Sequence, residues 1–157
     1  VTYKGRLVVA GGRHAVSGEA LCGVEAYDPA GDKYHAMVDL PKPLGFCSSA
    51  VLDGRLVVAG NGETTGGAGN IPGAVFMLDG DSWRTLPDRM VTASSSALAL
   101  ETLNGRMVAV ASEGAEEYDA VIDDWVALPQ SRVRHFGCDA AVLPSLPSEM
   151  GAAGTPV

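Results

Sequence analysis

The chain has 157 residues, 46% of them hydrophobic and 19% charged, which excludes a disordered polymer and allows one domain with a buried core. Its formal net charge of −8, with no cluster of Lys and Arg, argues against a nucleic-acid partner and against docking on an anionic membrane surface. No apolar run approaches the roughly 20 residues that span a bilayer.

Three cysteines, Cys22, Cys47 and Cys138, form an odd set without metal-ligand spacing, so neither a disulfide framework nor a zinc site is supported. A reducing compartment, the cytoplasm, is expected. The first residues hold no charged n-region and no apolar h-region, so no targeting signal is read there. The missing initiator Met fits a piece of a longer protein.

In chain order, the first apolar segment is GRLVVAGG at Gly5 to Gly12. It is followed by VEAYD at Val24 to Asp28, then Tyr34 and Met37. The same set recurs. FCSSAVLDG from Phe46 leads into GRLVVAGN at Gly54 to Asn61, VFMLD at Val75 to Asp79, and Trp83 with Leu86. ASSSALALETLNG from Ala93 leads into GRMVAVAS at Gly105 to Ser112, AEEYD at Ala115 to Asp119, and Trp125 with Leu128. FGCDAAVL from Phe136 stands alone. The end, PSLPSEMGAAGTPV from Pro144, has turn formers and no periodicity and is expected to be disordered.

The glycine segments are spaced by 49 and 51 residues, a period that marks a repeat architecture. Each unit reads as a small-residue strand a, a glycine-segment strand b, a strand c ending in Asp, and an aromatic strand d. The segments are short, rich in β-branched and aromatic residues, and separated by Asp-Gly, Asn-Gly and Asp-Pro signals, which favours strands over helices. Asp53-Gly54 and Asn104-Gly105 predict two-residue hairpin turns with positive φ at both positions. Four short strands per unit make one antiparallel blade, whose two apolar faces are buried by stacking against neighbours.

Strand b, almost continuously apolar, is expected to be covered on both faces. Small residues suit strand a near a crowded axis, and the aromatic of strand d fills the gap where the wedge widens. The fold class is therefore all-β: about three four-stranded blades (1–41, 45–88, 93–130), a first strand of a further blade (136–143), and a tail (144–157).

These residues resemble the kelch repeat, with its glycine pair after strand b, Tyr closing strand c and Trp in strand d. The first copy shows Gly11, Gly12, Tyr27 and, in place of Trp, Tyr34. The second shows Gly60, Asn61, Leu78 in place of Tyr, and Trp83. The third keeps Tyr118 and Trp125 but has Ala111 and Ser112 for the glycine pair. The similarity covers roughly Gly5 to Leu143. Kelch propellers usually close with five to seven blades, so the resemblance implies further blades, either from a longer chain or from a second copy exchanging strand 136–143.

In such a meander the b–c and d–a loops emerge on one face. That face carries Arg13 and His14 in the first b–c loop, Glu63 and Asn70 in the second, and Arg89, Arg132, Arg134 and His135 in the d–a loops. The resemblance implies a protein or peptide partner bound there. Arg132 and Arg134 suit bidentate contact with a carboxylate; the alternative is a solvated pair of charges.

The Gly-rich stretch from Asn61 to Gly73 lacks a Gly-Lys-Ser/Thr step and precedes a strand, so it has no parts for phosphate binding. An alternative reading is the propeller lobe of a secreted carbohydrate-active or copper oxidase of the galactose-oxidase type, with catalytic residues outside this chain. Such chemistry needs Tyr and His ligands held together, whereas His14, His35 and His135 fall in different places of different blades. No enzyme activity, catalytic residue, metal or cofactor is expected, and the module reads as a binding scaffold.

Overall fold

The computed structural model describes residues 1–62, 74–87, 98–111 and 114–129. Among them the chain forms twelve strands in three four-stranded antiparallel sheets and no helix. The first sheet holds β1 (Thr2–Tyr3), β2 (Arg6–Ala10), β3 (Val24–Asp28) and β4 (Lys33–Ala36). The second holds β5 (Gly45–Leu52), β6 (Arg55–Asn61), β7 (Ala74–Asp79) and β8 (Ser82–Thr85). The third holds β9 (Leu98–Leu103), β10 (Arg106–Ala111), β11 (Gly114–Asp119) and β12 (Asp124–Ala127). Each is a meander in strand order a, b, c, d. The expected strand at 136–143 and the tail 144–157 lie outside the described residues.

The a–b turns explain why the three sheets share one register. Asp53 and Gly54 have φ of +48° and +72°, and Asn104 and Gly105 of +53° and +76°. Lys4 and Gly5 repeat the geometry at +47° and +74°, a third such turn. Positive φ at both central positions matches the twist of the flanking strands, so Tyr3, Leu52 and Leu103 pair with Arg6, Arg55 and Arg106. The b–c connections differ in length, spanning residues 11–23, 62–73 and 112–113.

The Tyr-Asp pair that closes strand c organises the c–d turn. Asp28 Oδ1 accepts from Ala30 N at 3.0 Å, and Asp119 Oδ1 from Val121 N at 2.8 Å, the local turn that Asp side chains favour. Tyr27 Oη donates to Asp32 Oδ1 at 2.7 Å, and Tyr118 Oη to Asp123 Oδ1 at 2.5 Å. The apolar residue three beyond the aromatic continues the pairing to strand c: Met37 N reaches Val24 O, Leu86 N reaches Val75 O, and Leu128 N reaches Ala115 O.

Two apolar layers hold the sheets together. Between the first and second lie Val8, Val24, Ala26, Leu56, Val58, Phe76 and Leu78; between the second and third lie Val57, Val75, Met77, Met107, Tyr118 and Trp125. Each fully buried aliphatic side chain of this size contributes about 1.5–3 kcal/mol relative to exposure. Trp83 Nε1 donates to Val38 O at 3.0 Å, and Trp125 Nε1 to Pro87 O at 3.1 Å, so each indole reaches back to the linker of the preceding sheet. The inner strands also touch: Leu100 N donates to Ser48 Oγ at 2.9 Å, and Thr102 Oγ1 to Val51 O at 2.8 Å. In β5 the run Ser48, Ser49 and Ala50 is small, whereas the described part of β9 is not.

Three expectations are corrected. Tyr34 does not wedge between sheets but is 55% exposed, because among the described residues no sheet lies on that side of the first. For the same reason β2 is not covered on both faces: Leu7 and Val9 are exposed and Val8 is buried. Gly60 lies inside β6 rather than after it, with its Cα register partner at Ala74. Its small size is required because a Cβ there would stand 3.0 Å from both Cys47 Sγ and Gly45 O.

Candidate partner-binding rim

The first b–c connection is a small hairpin in its own right. Arg13 and Ala20 form an antiparallel bridge, His14 N donates to Glu19 O at 2.8 Å, and Gly18 N donates to His14 O at 2.9 Å. Gly18 turns the chain with φ of +72°, a conformation open to glycine at little cost. At the tip, Ser17 N donates to His14 Nδ1 at 3.2 Å. Ser17 Oγ donates to Glu19 Oε2 at 2.9 Å, and Arg13 Nη1 to Gly18 O at 2.7 Å.

This hairpin is fastened to the d–a linker that enters the second sheet. Gly12 N donates to Leu44 O at 2.8 Å, Leu21 N to Gly12 O at 2.9 Å, and Leu44 N to Leu21 O at 3.1 Å. Leu40 N donates to Cys22 O at 2.9 Å. The backbone groups of this loop are thus largely satisfied by a neighbouring element, which holds the exposed side chains in one place.

Phe46 stands beside it. Its backbone has φ of +50° and its side chain is 54% exposed, while the Arg13 guanidinium lies over the ring at 5.1 Å from the centroid. A register shift between Gly45 and Ser48 in β5 produces this kink. Gly45 makes room for the stack, since a Cβ there would stand 2.9 Å from Arg13 Nε. At the next residue, burial pushes the Cys47 thiol above its ordinary pKa, offset in part by the Gly12 backbone, and Sγ donates to Leu44 O at 3.3 Å.

Of the residues read from sequence as partner-binding, Arg13 and His14 are exposed on this hairpin. Glu63, Asn70, Arg89, Arg132, Arg134 and His135 lie outside the described residues. Phe46 was not singled out by the sequence; a non-glycine residue in the left-handed region leaves no compositional mark. Among the described residues no three His, Cys, Asp or Glu side chains group as a metal site, and no helix is long and apolar enough to cross a membrane.

Repeated four-stranded meanders packed face to face, joined through a central strand and wedged by outer aromatics, define a β-propeller segment of three blades. Residues 1–41, the first of these blades, match the family model of the Kelch motif. The first blade thus carries a Kelch motif, and the three four-stranded sheets are consistent with partial propeller blades of that type. No curated protein matches the chain.

Proposed function

We propose that this module binds a protein or peptide partner without doing chemistry of its own, on the rim formed by hairpin 13–20 and Phe46. The observation that carries the reading is Phe46 itself: half-exposed, held at positive φ and stacked under Arg13. A bulky residue in the left-handed region costs about 1–2 kcal/mol, and such strain clusters where function needs it. An aromatic ring and a guanidinium on a rigid support are the side chains that most often carry binding energy. With Nη1 committed to Gly18 O, the other Arg13 donors suit a carboxylate or backbone carbonyl on the partner. On this reading the module works in a reducing compartment such as the cytoplasm.

Selection of binders from a displayed peptide library against the full chain tests this. Recovered peptides are expected to lose at least tenfold in affinity for Arg13→Ala and for Phe46→Gly, and to bind Val121→Ser, altered on the opposite rim, as they bind the unmodified chain. Binders that ignore both changes would count against the proposal.

A further inference from the structure

The three blades repeat one interface, and one copy of it is unoccupied among the described residues. In the second and third blades the face turned to the preceding blade is buried: Leu56 and Val58 are 0% exposed, and Met107 is likewise 0%. Their counterparts in the first blade, Leu7 and Val9, are 49% and 50% exposed.

The polar part of that face is repeated as well. In the third blade the Tyr118 and Trp125 rings meet at 5.5 Å and 57°, and Tyr118 Oη holds Asp123. In the first blade the Tyr27 and Tyr34 rings meet at 5.2 Å and 47°, and Tyr27 Oη holds Asp32. Asp32 and Asp123 share the same left-handed backbone, with φ of +47° and +54°. Asp123 is paired with Arg84, which comes across the interface from the outer strand β8 of the second blade. Asp32 is exposed.

We propose that the face of Leu7, Val9, Tyr34 and Asp32 seats a further four-stranded blade whose outer strand presents an Arg to Asp32, as Arg84 is presented to Asp123. The argument is continuity with the two interfaces already built. It also selects among occupants. The third blade of a second copy would present Val126 at the position of Arg84, so it lacks the complementary charge. The inference is independent of the binding rim, which lies on a different surface of the first blade.

A tandem protein tests it, in which a second copy of residues 42–100 is joined directly ahead of Val1 of the full chain. Tyr3 pairs with Arg6 as Leu103 pairs with Arg106, so this junction places the copied second blade where it stands relative to the third. Asp32→Lys gives up the Tyr27 hydrogen bond in both proteins and is expected to lower the urea midpoint of the tandem by clearly more than that of the unextended chain. Arg84→Glu in the added copy is expected to lower the midpoint by itself and, combined with Asp32→Lys, to recover the excess loss that the tandem shows over the unextended chain. Leu7→Lys is expected to weaken only the tandem. An Asp32→Lys loss of equal size in both proteins, or no restoration by the charge exchange, overturns the proposal. So does self-association of the unextended chain that Leu7→Lys abolishes and Asp32→Lys does not, since a second copy would then occupy the face.

Discussion

Gly11 and Cys47 are fitted to one another across the join of the first two blades: a Cβ on Gly11 would stand 2.7 Å from Cys47 Sγ, with Leu44 O at 2.8 Å on the other side. Gly11 also has φ of +59°. Its neighbour Gly12 has φ of +98° but nothing within 4 Å of the same construction. Gly12→Ala is therefore expected to cost about 1–2 kcal/mol from backbone conformation alone. Gly11→Ala is expected to cost about 1–3 kcal/mol more from the clash. Adding Cys47→Ala recovers part of that difference and not all, because Leu44 O stays. Urea unfolding of the three variants measures this, and equal losses at the two glycines would refute it.

Trp125 is buried and its Nε1 donates to Pro87 O. Trp125→Phe should cost about 1–3 kcal/mol through the orphaned carbonyl, and Trp125→Ala about 3–5 kcal/mol through the lost ring. Tyr34→Ala, at the same repeat position but exposed, should cost less than about 1 kcal/mol. Thermal or urea denaturation that ranks Tyr34→Ala with Trp125→Ala would contradict the account of the interface.

The Tyr118, Asp123 and Arg84 group predicts two limbs of pH dependence. The Tyr118 hydroxyl, with Arg84 adding, holds Asp123 below the usual carboxylate range. A lowered folded pKa means that the stabilisation is present above about pH 4 and is lost as acid protonates the folded carboxylate. Burial first, then the bond to Asp123, pushes Tyr118 above the usual phenol value. That stabilisation is present below about pH 10 and is lost as alkali ionises the folded phenol. Tyr118→Phe should flatten both limbs. Arg84→Ala should raise the Tyr118 titration further, since the guanidinium opposes the shift; absorbance at 295 nm follows it.

At Phe46 the usual preference between Ala and Gly in a strand should invert. Phe46→Ala keeps the strained φ and loses the Arg13 stack, a loss of about 0.5–1 kcal/mol. Phe46→Gly releases the strain, worth about 1–2 kcal/mol, and should be the more stable of the two. Denaturation midpoints in the opposite order would show that the backbone there is unstrained.

The repeat made much of this fold readable. Three glycine segments at nearly equal spacing fix the number of blades, and Asp53-Gly54 and Asn104-Gly105 announce their turns. Lys4-Gly5 makes the same turn, yet Lys carries no such signal, and only alignment with the other copies points to it. The Tyr27 to Asp32 and Tyr118 to Asp123 pairs share one spacing, yet the Asp residues lie in stretches that otherwise read as plain turns. The exposure of Tyr34, Leu7 and Val9 could not be read locally; it depends on which neighbours are present. The meeting of Arg13 and Phe46 joins two blades through a kink, and neither residue type nor spacing foretells it.

The unequal b–c connections, set against a–b turns fixed at two residues, give the molecule two different tolerances. Lengthening a segment such as 13–20 changes neither the pairing of β2 with β3 nor the stacking of the sheets, whereas one added residue at Lys4-Gly5 would flip every side chain of a strand to its other face. Foreign peptides should therefore be graftable at the b–c connections and not at the a–b turns, which makes the blade a natural frame for displaying inserted sequences.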